Sequence, residues 1–182
     1  MVVHIRVNAG YLPQEHWTQQ PAEGGRIVGE FCHFVDWARF VVNSPIKKVQ
    51  AAALPDGTRY NQDNVVALLS FEDGSVGTLL YLANGDPSVP KEFYEVFCEG
   101  AVARLDDFRS LELTRQRKTD RARSTQDKGH QKELELTIDA IRLGAEAPIP
   151  FAELCEVTEA TLAIREALAT GQAVALPLRP AS

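Results

Sequence analysis

A carboxylate and a histidine lie close together near the start of a predicted helix, and they are the chain's clearest candidates for proton chemistry. They are Glu30 and His33, within the stretch GGRIVGEFCHFVD at 24–36. Four side chains recur at i, i+4, i+7 and i+11 and therefore share one helix face: Arg26, Glu30, His33 and Trp37. Burying a titratable histidine beside a carboxylate is costly unless both are paired or used. Spacing alone fits either a proton-transfer site or a core histidine satisfied by Glu30.

The helix that carries these residues is apolar on its other faces. Apolar side chains at helical spacing predict a buried helix over 27–42: Phe31, Phe34, Val35, Ala38, Val41 and Val42. The glycine pair at 24–25 precedes this helix, and Asn43-Ser44-Pro45 ends it.

The rest of the pattern predicts strands on both sides of this helix and two helices at the end. A loop is expected over 11–23. The predicted strands are 2–8, 46–54, 64–71, 76–82, 92–98 and 101–105, with one more at 111–115 and a short strand or extended tail at 174–178. Hairpin turns such as Asp73-Gly74-Ser75 indicate antiparallel pairing. The predicted late helices are 131–143 and 151–170.

These elements predict one α+β domain over 1–182. We expect a largely antiparallel open sheet of about six strands with helices packed on one face. The other face is left open, and an open apolar face of this size usually meets a partner.

Composition and charge argue against several classes of protein. The formal net charge is −6, which argues against nucleic acid as the main partner. The basic run at 115–123 is interpreted as a solvated strand edge or loop. No apolar run approaches the ~20 residues that a membrane span needs. Three widely spaced cysteines without a Cys-x-x-Cys pair argue against zinc, and the odd count without a signal peptide predicts a cytoplasmic protein.

Sequence motifs for nucleotide binding and for a serine nucleophile are absent. There is no Gly-x-Gly-x-x-Gly unit, no Gly-Lys-Ser/Thr and no Gly-x-Ser-x-Gly. We therefore expect this chain alone to bind no cofactor and no metal.

Several short stretches resemble one family. They are Arg6–Gly10, Gly24–Asp36, Asp73–Gly77, Tyr81–Gly85, Phe97–Gly100 and Asp127–His130. On these residues the chain resembles the C-terminal, substrate-binding domain of the Gfo/Idh/MocA oxidoreductases over nearly its whole length. The most similar members are bi-domain bacterial oxidoreductases.

The resemblance implies a role for His33. Family members bind NAD(P) in an N-terminal Rossmann domain, whose lysine works with an Asp and a His four residues apart on the helix after a glycine turn. His33 matches that histidine, which takes a proton from a sugar hydroxyl as hydride leaves the same carbon. The position four before it is Gly29, and the nearest carboxylate is Glu30, which is expected to orient His33 or to bind substrate.

The same resemblance suggests further substrate-binding residues, and each has a structural alternative. Asn8 ends the first strand and could be only a turn residue. Arg26 could bind substrate hydroxyls or cap the helix start. Lys128 and His130 precede a helix, where polar residues often serve only as N-cap signals.

Together these points predict the substrate-binding and catalytic-histidine domain of an NAD(P)-dependent oxidoreductase that acts on a sugar, polyol or cyclitol hydroxyl. Its Rossmann domain is absent from this chain, so the chain alone is expected to be inactive, with NAD or NADP bound in the full-length protein. The open sheet face is expected to form a homo-oligomer, such as a dimer. The alternative, motivated by Gly29, is a non-catalytic ligand-binding or dimerisation module.

Overall fold

A computed structural model describes residues 1–20 and 24–177. Residues 21–23 of the predicted loop and residue 178 of the predicted last strand lie outside this part. The strands are β1 (Val2–Asn8), β2 (Ile46–Ala53), β3 (Asn64–Phe71), β4 (Val76–Leu82), β5 (Glu92–Cys98), β6 (Ala101–Asp106), β7 (Ser110–Arg115), β8 (Lys118–Arg123) and β9 (Val174–Ala175). The α-helices are α1 (Cys32–Val42), α2 (His130–Leu143) and α3 (Phe151–Thr170). A 3₁₀ turn covers Trp17–Gln19, and a π-helical turn covers Ile27–Phe31.

The predicted α+β class is confirmed, but the sheet is larger than predicted and is mixed. Within the described ranges it has nine strands in the order β8-β7-β6-β5-β1-β4-β3-β2-β9. β1 pairs parallel with β4 on one side and antiparallel with β5 on the other. Strand β8 was not assigned as a separate strand, because it lies in the basic run and lacks apolar alternation. Strand β9, predicted as a short strand or extended tail, is only two residues long. The parallel pair is non-local, so hairpin signals cannot reveal it.

The core lies between one sheet face and two of the three helices. Its side chains come from alternate positions of the central strands and from α1 and α3, and include Val3, Ile5, Val7, Val65, Leu69, Leu79, Phe34, Val35, Ala163 and Ile164. Arg39 of α1 pairs with two carboxylates of α3: its Nε donates to Glu156 Oε1 and Oε2 at 3.1 and 3.0 Å, and its Nη2 lies 3.6 Å from Glu153 Oε1. Glu156 also accepts the Ile46 amide at 2.6 Å, which ties α3 to the start of β2.

Helix α2 does not follow the prediction that the helices pack on one face. None of its residues is buried. Its apolar side chains Leu134, Ile138 and Ile141 are 64%, 46% and 77% exposed. We call these three residues the α2 apolar strip. No helix in the described ranges has the length and apolar character needed to cross a membrane.

The predicted single helix over 27–42 begins instead with a π turn. This turn covers Ile27–Phe31, and α1 continues it from Cys32. A π turn holds one more residue than an α turn, so it changes the angle between side chains before and after it, and apolar spacing does not reveal it. Gly24 lies just before the turn with φ of +83°, and a Cβ there would meet Val28 Cβ at 2.7 Å, so the tight entry needs glycine.

Candidate active site at one end of the sheet

A buried arginine and a tyrosine fix the position of Glu30. Glu30 Oε2 accepts from Arg26 Nε and Nη2 at 3.3 and 2.9 Å and from the Tyr81 hydroxyl. The Arg26 side chain is 1% exposed and lies over the Tyr81 ring, with Cζ 5.0 Å from the centroid. Arg26 Nη1 donates to the Gly10 carbonyl at 2.7 Å. A buried guanidinium with this set of partners holds the Glu30 side chain as an acceptor of fixed orientation.

Only one oxygen of Glu30 is engaged in this way. Glu30 Oε1 faces Lys91, whose Nζ lies 3.9 Å away on a side chain that is 45% exposed. The Glu30 side chain is itself 27% exposed. A cation and a free carboxylate oxygen therefore stand together at the surface, where a polar ligand can reach both.

His33 is exposed on α1, one helical turn from Trp37. No hydrogen bond joins it to Glu30 or to another side chain in the described part of the chain. Its electrostatic neighbour is Asp36: burial raises the pKa of this carboxyl, and the nearby His33 acts in the opposite direction. Glu30 lies in the π turn, and its carboxylate contacts Tyr81 and Arg26. That Glu30 orients His33 stays a prediction.

A second polar network is built around the buried carboxylate of Glu92. This side chain is 4% exposed, and its Oε1 accepts from Lys128 Nζ at 2.6 Å. Its Oε2 accepts from the Tyr94 hydroxyl at 2.6 Å. Burial raises the pKa of the Tyr94 phenol, and the bond to Glu92 raises it further, so the hydroxyl stays protonated and donates. The Tyr94 ring packs on Trp37 of α1 with centroids 4.4 Å apart.

The two networks meet where β1 ends and β5 begins. Lys91 and Glu92 are adjacent, one facing each network. The Lys91 carbonyl accepts the Asn8 amide at 2.7 Å. Asn8 Nδ2 donates to the carbonyls of Asp86 and Val89 at 2.7 and 3.0 Å, so this side chain clips the 83–91 loop onto the end of β1.

The structure connects four of the six sequence-predicted residues. Arg26 and Glu30 share the first network, Lys128 belongs to the second, and Asn8 lies at their junction. The donors of Arg26 and Asn8 are used within the protein, which favours the structural interpretation of both. His33 stays exposed on the helix between the networks, and His130 is exposed as the first residue of α2.

Sequence reasoning missed Tyr81, Lys91 and Glu92. Glu92 had a usable signal, because strand alternation puts it on the same face as Tyr94 and Val96 and therefore directs its carboxylate inward. Tyr81 likewise follows the inward alternation of β4. Lys91 precedes its strand and carries no such signal.

Comparison with known families shows to which family the chain belongs. The sequence model of one protein family, the GFO/IDH/MocA C-terminal domain, matches residues 1–104. The chain therefore belongs to the GFO/IDH/MocA C-terminal domain family. No curated protein sequence matches it significantly.

Several solved structures share the fold at low sequence identity. Aldose-aldose oxidoreductase from Caulobacter crescentus, complexed with glycerol, has a TM-score of 0.79 at 16% identity and covers 96% of this chain and 55% of its own. An oxidoreductase from Agrobacterium radiobacter, in complex with NAD+, L-tartaric acid and magnesium, has a TM-score of 0.77 at 14% identity. The match covers 96% of this chain and 56% of that protein. The WlbA dehydrogenase from Bordetella pertussis, in complex with NADH and UDP-GlcNAcA, has a TM-score of 0.71 at 19% identity. The match covers 98% of this chain and 55% of that protein. The chain thus spans just over half the length of each.

Proposed function

We propose that this chain is the substrate-binding and catalytic-histidine domain of an NAD(P)-dependent oxidoreductase acting on a sugar, polyol or cyclitol hydroxyl. The observation that carries the proposal is the placement of His33. This imidazole is exposed on α1, three residues after Glu30 and one helical turn before Trp37, whose ring packs on Tyr94 of the Glu92 network. The other side of this helix is core. Family membership and the oxidoreductases that share the fold agree with this assignment.

Each polar residue has a task in this proposal. His33 accepts the proton of the substrate hydroxyl on an imidazole nitrogen as the carbon beneath it loses hydride. Glu30 Oε1 and Lys91 Nζ hold neighbouring hydroxyls, because Arg26 and Tyr81 prevent the carboxylate from turning away. Lys128 stands beside the same region, held by Glu92. The Trp37 ring packs on Tyr94 and is partly exposed, and its exposed part offers a wall for sugar C–H groups.

We expect the glycine pair of this chain not to hold a dinucleotide. The glycine turn at 24–25 enters a π turn, and the cavity beside it is only about 100 Å³. Arg26, which lies between the glycine pair and the π turn, is already paired with Glu30. We therefore assign NAD or NADP to a Rossmann domain upstream in the full-length protein, where a bound nicotinamide supplies the hydride acceptor.

The apolar surface around α2 supports a second domain as partner. The α2 apolar strip is exposed, and Phe40 and Phe151 are 76% and 79% exposed. An apolar surface of this kind on a soluble domain usually marks a contact site. We assign it to the Rossmann domain.

The sheet face away from the helices supports self-association. Val2, Val66 and Phe97 point outward from β1, β3 and β5 and are 48%, 45% and 42% exposed. The outer strands carry charges that pair within the sheet, such as Arg104 with Glu95 at 2.7 Å. We propose that the apolar central strands form the homo-oligomer contact, with a dimer as the simplest assembly. Sedimentation velocity of Val66→Lys against the parent chain tests it, and an unchanged monomer in both overturns it.

The experiment that tests the proposed function joins this chain to its Rossmann domain. The two-domain protein is expected to reduce NAD+ or NADP+ with at least one member of a panel of aldoses, polyols and inositols. Absence of turnover with both cofactors and the whole panel would overturn the proposal. Calorimetry of the chain alone with NADH is expected to give no heat of binding, and tight binding would contradict the assignment of the cofactor to another domain.

One observation favours the alternative of a non-catalytic ligand-binding or dimerisation module. Gly29 stands where the family pattern has its Asp, and Glu30 is bonded to Arg26 and Tyr81 rather than to His33. A two-domain protein that binds a sugar but never reduces cofactor would favour this module.

A further inference from the structure

A second cavity lies at the same end of the sheet, outside the two networks. Three loops enclose about 540 Å³: the turn after β1, the β2–β3 loop and the loop after β4. Its lining includes Gly10, Tyr11, Arg59, Tyr60 and Asp86.

An arginine held between two aromatic rings lines this cavity. The Arg59 Cζ lies 4.8 Å from the Tyr11 centroid and 5.4 Å from the Tyr60 centroid. The two rings meet edge to face with centroids 6.0 Å apart. No carboxylate pairs with this guanidinium within the described ranges, so its N–H donors are available to a ligand.

The loops that present these side chains are held in place. Gln14 Nε2 donates to the Thr58 carbonyl at 3.0 Å and joins the first loop to the second. Asp56 Oδ1 accepts the Gln62 amide at 2.9 Å and closes the second loop. Asn64 Oδ1 accepts the amides of Ala83 and Asn84, both at 3.0 Å, and fixes the third. Because the loops are tied down, a ligand need not order them on binding.

The cavity adjoins the proposed active site. The Gly10 carbonyl, in the first loop, accepts from Arg26 Nη1 at 2.7 Å, and Arg26 holds Glu30. Asn8 clips the third loop through the Asp86 carbonyl. A ligand held by Glu30 and Lys91 at one end could therefore extend along the Gly10 turn toward Arg59.

The chemistry of the lining selects a class of ligand. A guanidinium binds an oxyanion with two parallel hydrogen bonds, and aromatic faces pack on sugar rings. Asp86 Oδ1 accepts the Ser88 hydroxyl at 2.6 Å, which leaves its other oxygen to accept from ligand hydroxyls. We propose that this cavity binds the oxyanion-bearing part of an anionic sugar, with the carboxylate or phosphate on Arg59 and the ring against Tyr11 and Tyr60. This rests on the proposed function and narrows its substrate class.

The test uses the chain itself and matched probes. Methyl β-glucuronide, glucose 1-phosphate and the neutral methyl β-glucoside are titrated by calorimetry. At least one anionic probe is expected to bind about tenfold or more tighter than the neutral one, since a charged hydrogen bond is lost without the oxyanion. Preference for the glucuronide identifies a carboxylate, and preference for the phosphate identifies a phosphosugar.

Variants assign any selectivity to Arg59. Arg59→Gln is expected to abolish the preference, while Tyr60→Phe, which keeps the ring, retains it. Arg123→Gln on β8, also an exposed arginine, is the matched control and is expected to change nothing. Equal binding of the neutral probe, no binding of any probe, or selectivity that survives in Arg59→Gln would overturn the proposal. Turnover of neutral sugars by the two-domain protein without an Arg59 effect would overturn this inference and leave the proposed function standing.

Discussion

At the scale of single residues, the close contact between Asn8 and Gly85 leaves no space for a side chain at position 85. Asn8 Oδ1 occupies the position that a side chain at Gly85 would take, so a Cβ there would collide with the Asn8 amide group. Asn8 cannot simply move, because its Nδ2 holds the carbonyls of Asp86 and Val89. The packing of Asn8 against Gly85 therefore helps to fix this loop, together with the bonds from Asn64 to the amides of Ala83 and Asn84.

Gly85→Ala is expected to lower the free energy of unfolding by about 1–3 kcal/mol, the usual cost of overpacking. In an Asn8→Ala background the same change should cost much less, because the colliding atoms are gone. Urea unfolding of the four proteins measures this coupling. Gly57→Ala, where a Cβ would meet nothing within 4 Å, is the control. Equal effects of Gly85→Ala in both backgrounds would contradict the packing argument.

The Asp36 carboxyl makes stability depend on pH. Burial raises its pKa, the charges of Glu153 and Glu133 add to this, and His33 and Arg39 oppose it. A raised pKa in the folded state means that the protonated form is favoured on folding. This stabilisation is complete below the ordinary Asp pKa of about 3.9 and is lost as pH rises through the raised value.

Asp36→Asn removes this dependence. The variant is expected to be more stable than the parent at pH 7, with the difference shrinking as pH falls toward about 4. Thermal unfolding across this pH range measures it, with Asp120→Asn on the exposed edge strand β8 as control. A difference independent of pH, or of opposite sign, would exclude this role for Asp36.

At the scale of elements, one ion pair connects the segment before α2 to the sheet. Lys128 bonds Glu92 across a sequence separation of 36 residues, while α2 itself buries nothing. Lys128→Met leaves the Glu92 carboxylate buried with only Tyr94 as donor. We expect a loss of about 1–3 kcal/mol in unfolding free energy.

A double-mutant cycle separates the pair from general effects of the substitution. In a Glu92→Gln background, Lys128→Met should cost little, since no buried charge is left unpaired. Lys118→Met on exposed β8 should change stability by less than about 0.5 kcal/mol. If Lys128→Met costs the same with and without Glu92, the pair does not hold this segment.

The elements that depend on local pattern were predictable, and those that depend on distant pairing were not. Helix α3 and the hairpin of β3 and β4 follow from spacing and turn residues. The insertion of β1 between β4 and β5 requires strands far apart in sequence to pair. The π turn and the Glu92–Lys128 hydrogen bond produce no periodic pattern of apolar residues in the sequence. Sequence therefore selected Glu30 and Lys128 as candidates, but their partners came only from the fold.

At the scale of the whole molecule, the chain exposes apolar side chains that we propose a second domain covers. Ile141 and Phe151 are 77% and 79% exposed. The double variant Ile141→Ser/Phe151→Ser should therefore leave the stability of the chain alone within about 0.5 kcal/mol. In the two-domain protein the same change should weaken the domain contact by about 1.5–3 kcal/mol for each side chain that becomes buried.

Thermal unfolding of both proteins compares these outcomes. Leu111→Ser, on the outer strand β7 and 45% exposed, is the control for a general loss of apolar surface. If the double variant destabilises the chain alone as much as the two-domain protein, the surface is not the domain contact.

The central claim is that His33 is the proton acceptor of a two-domain active site. The most direct measurement is kcat of the two-domain protein with His33→Ala, beside His4→Gln on the far sheet face, where His4 bonds only Thr78 in the described part. We predict that His33→Ala lowers kcat about 10²–10⁴-fold without loss of folded structure, because loss of a general base costs that much and His33 is exposed. His4→Gln should keep kcat near that of the parent. An unchanged kcat in His33→Ala would contradict the account.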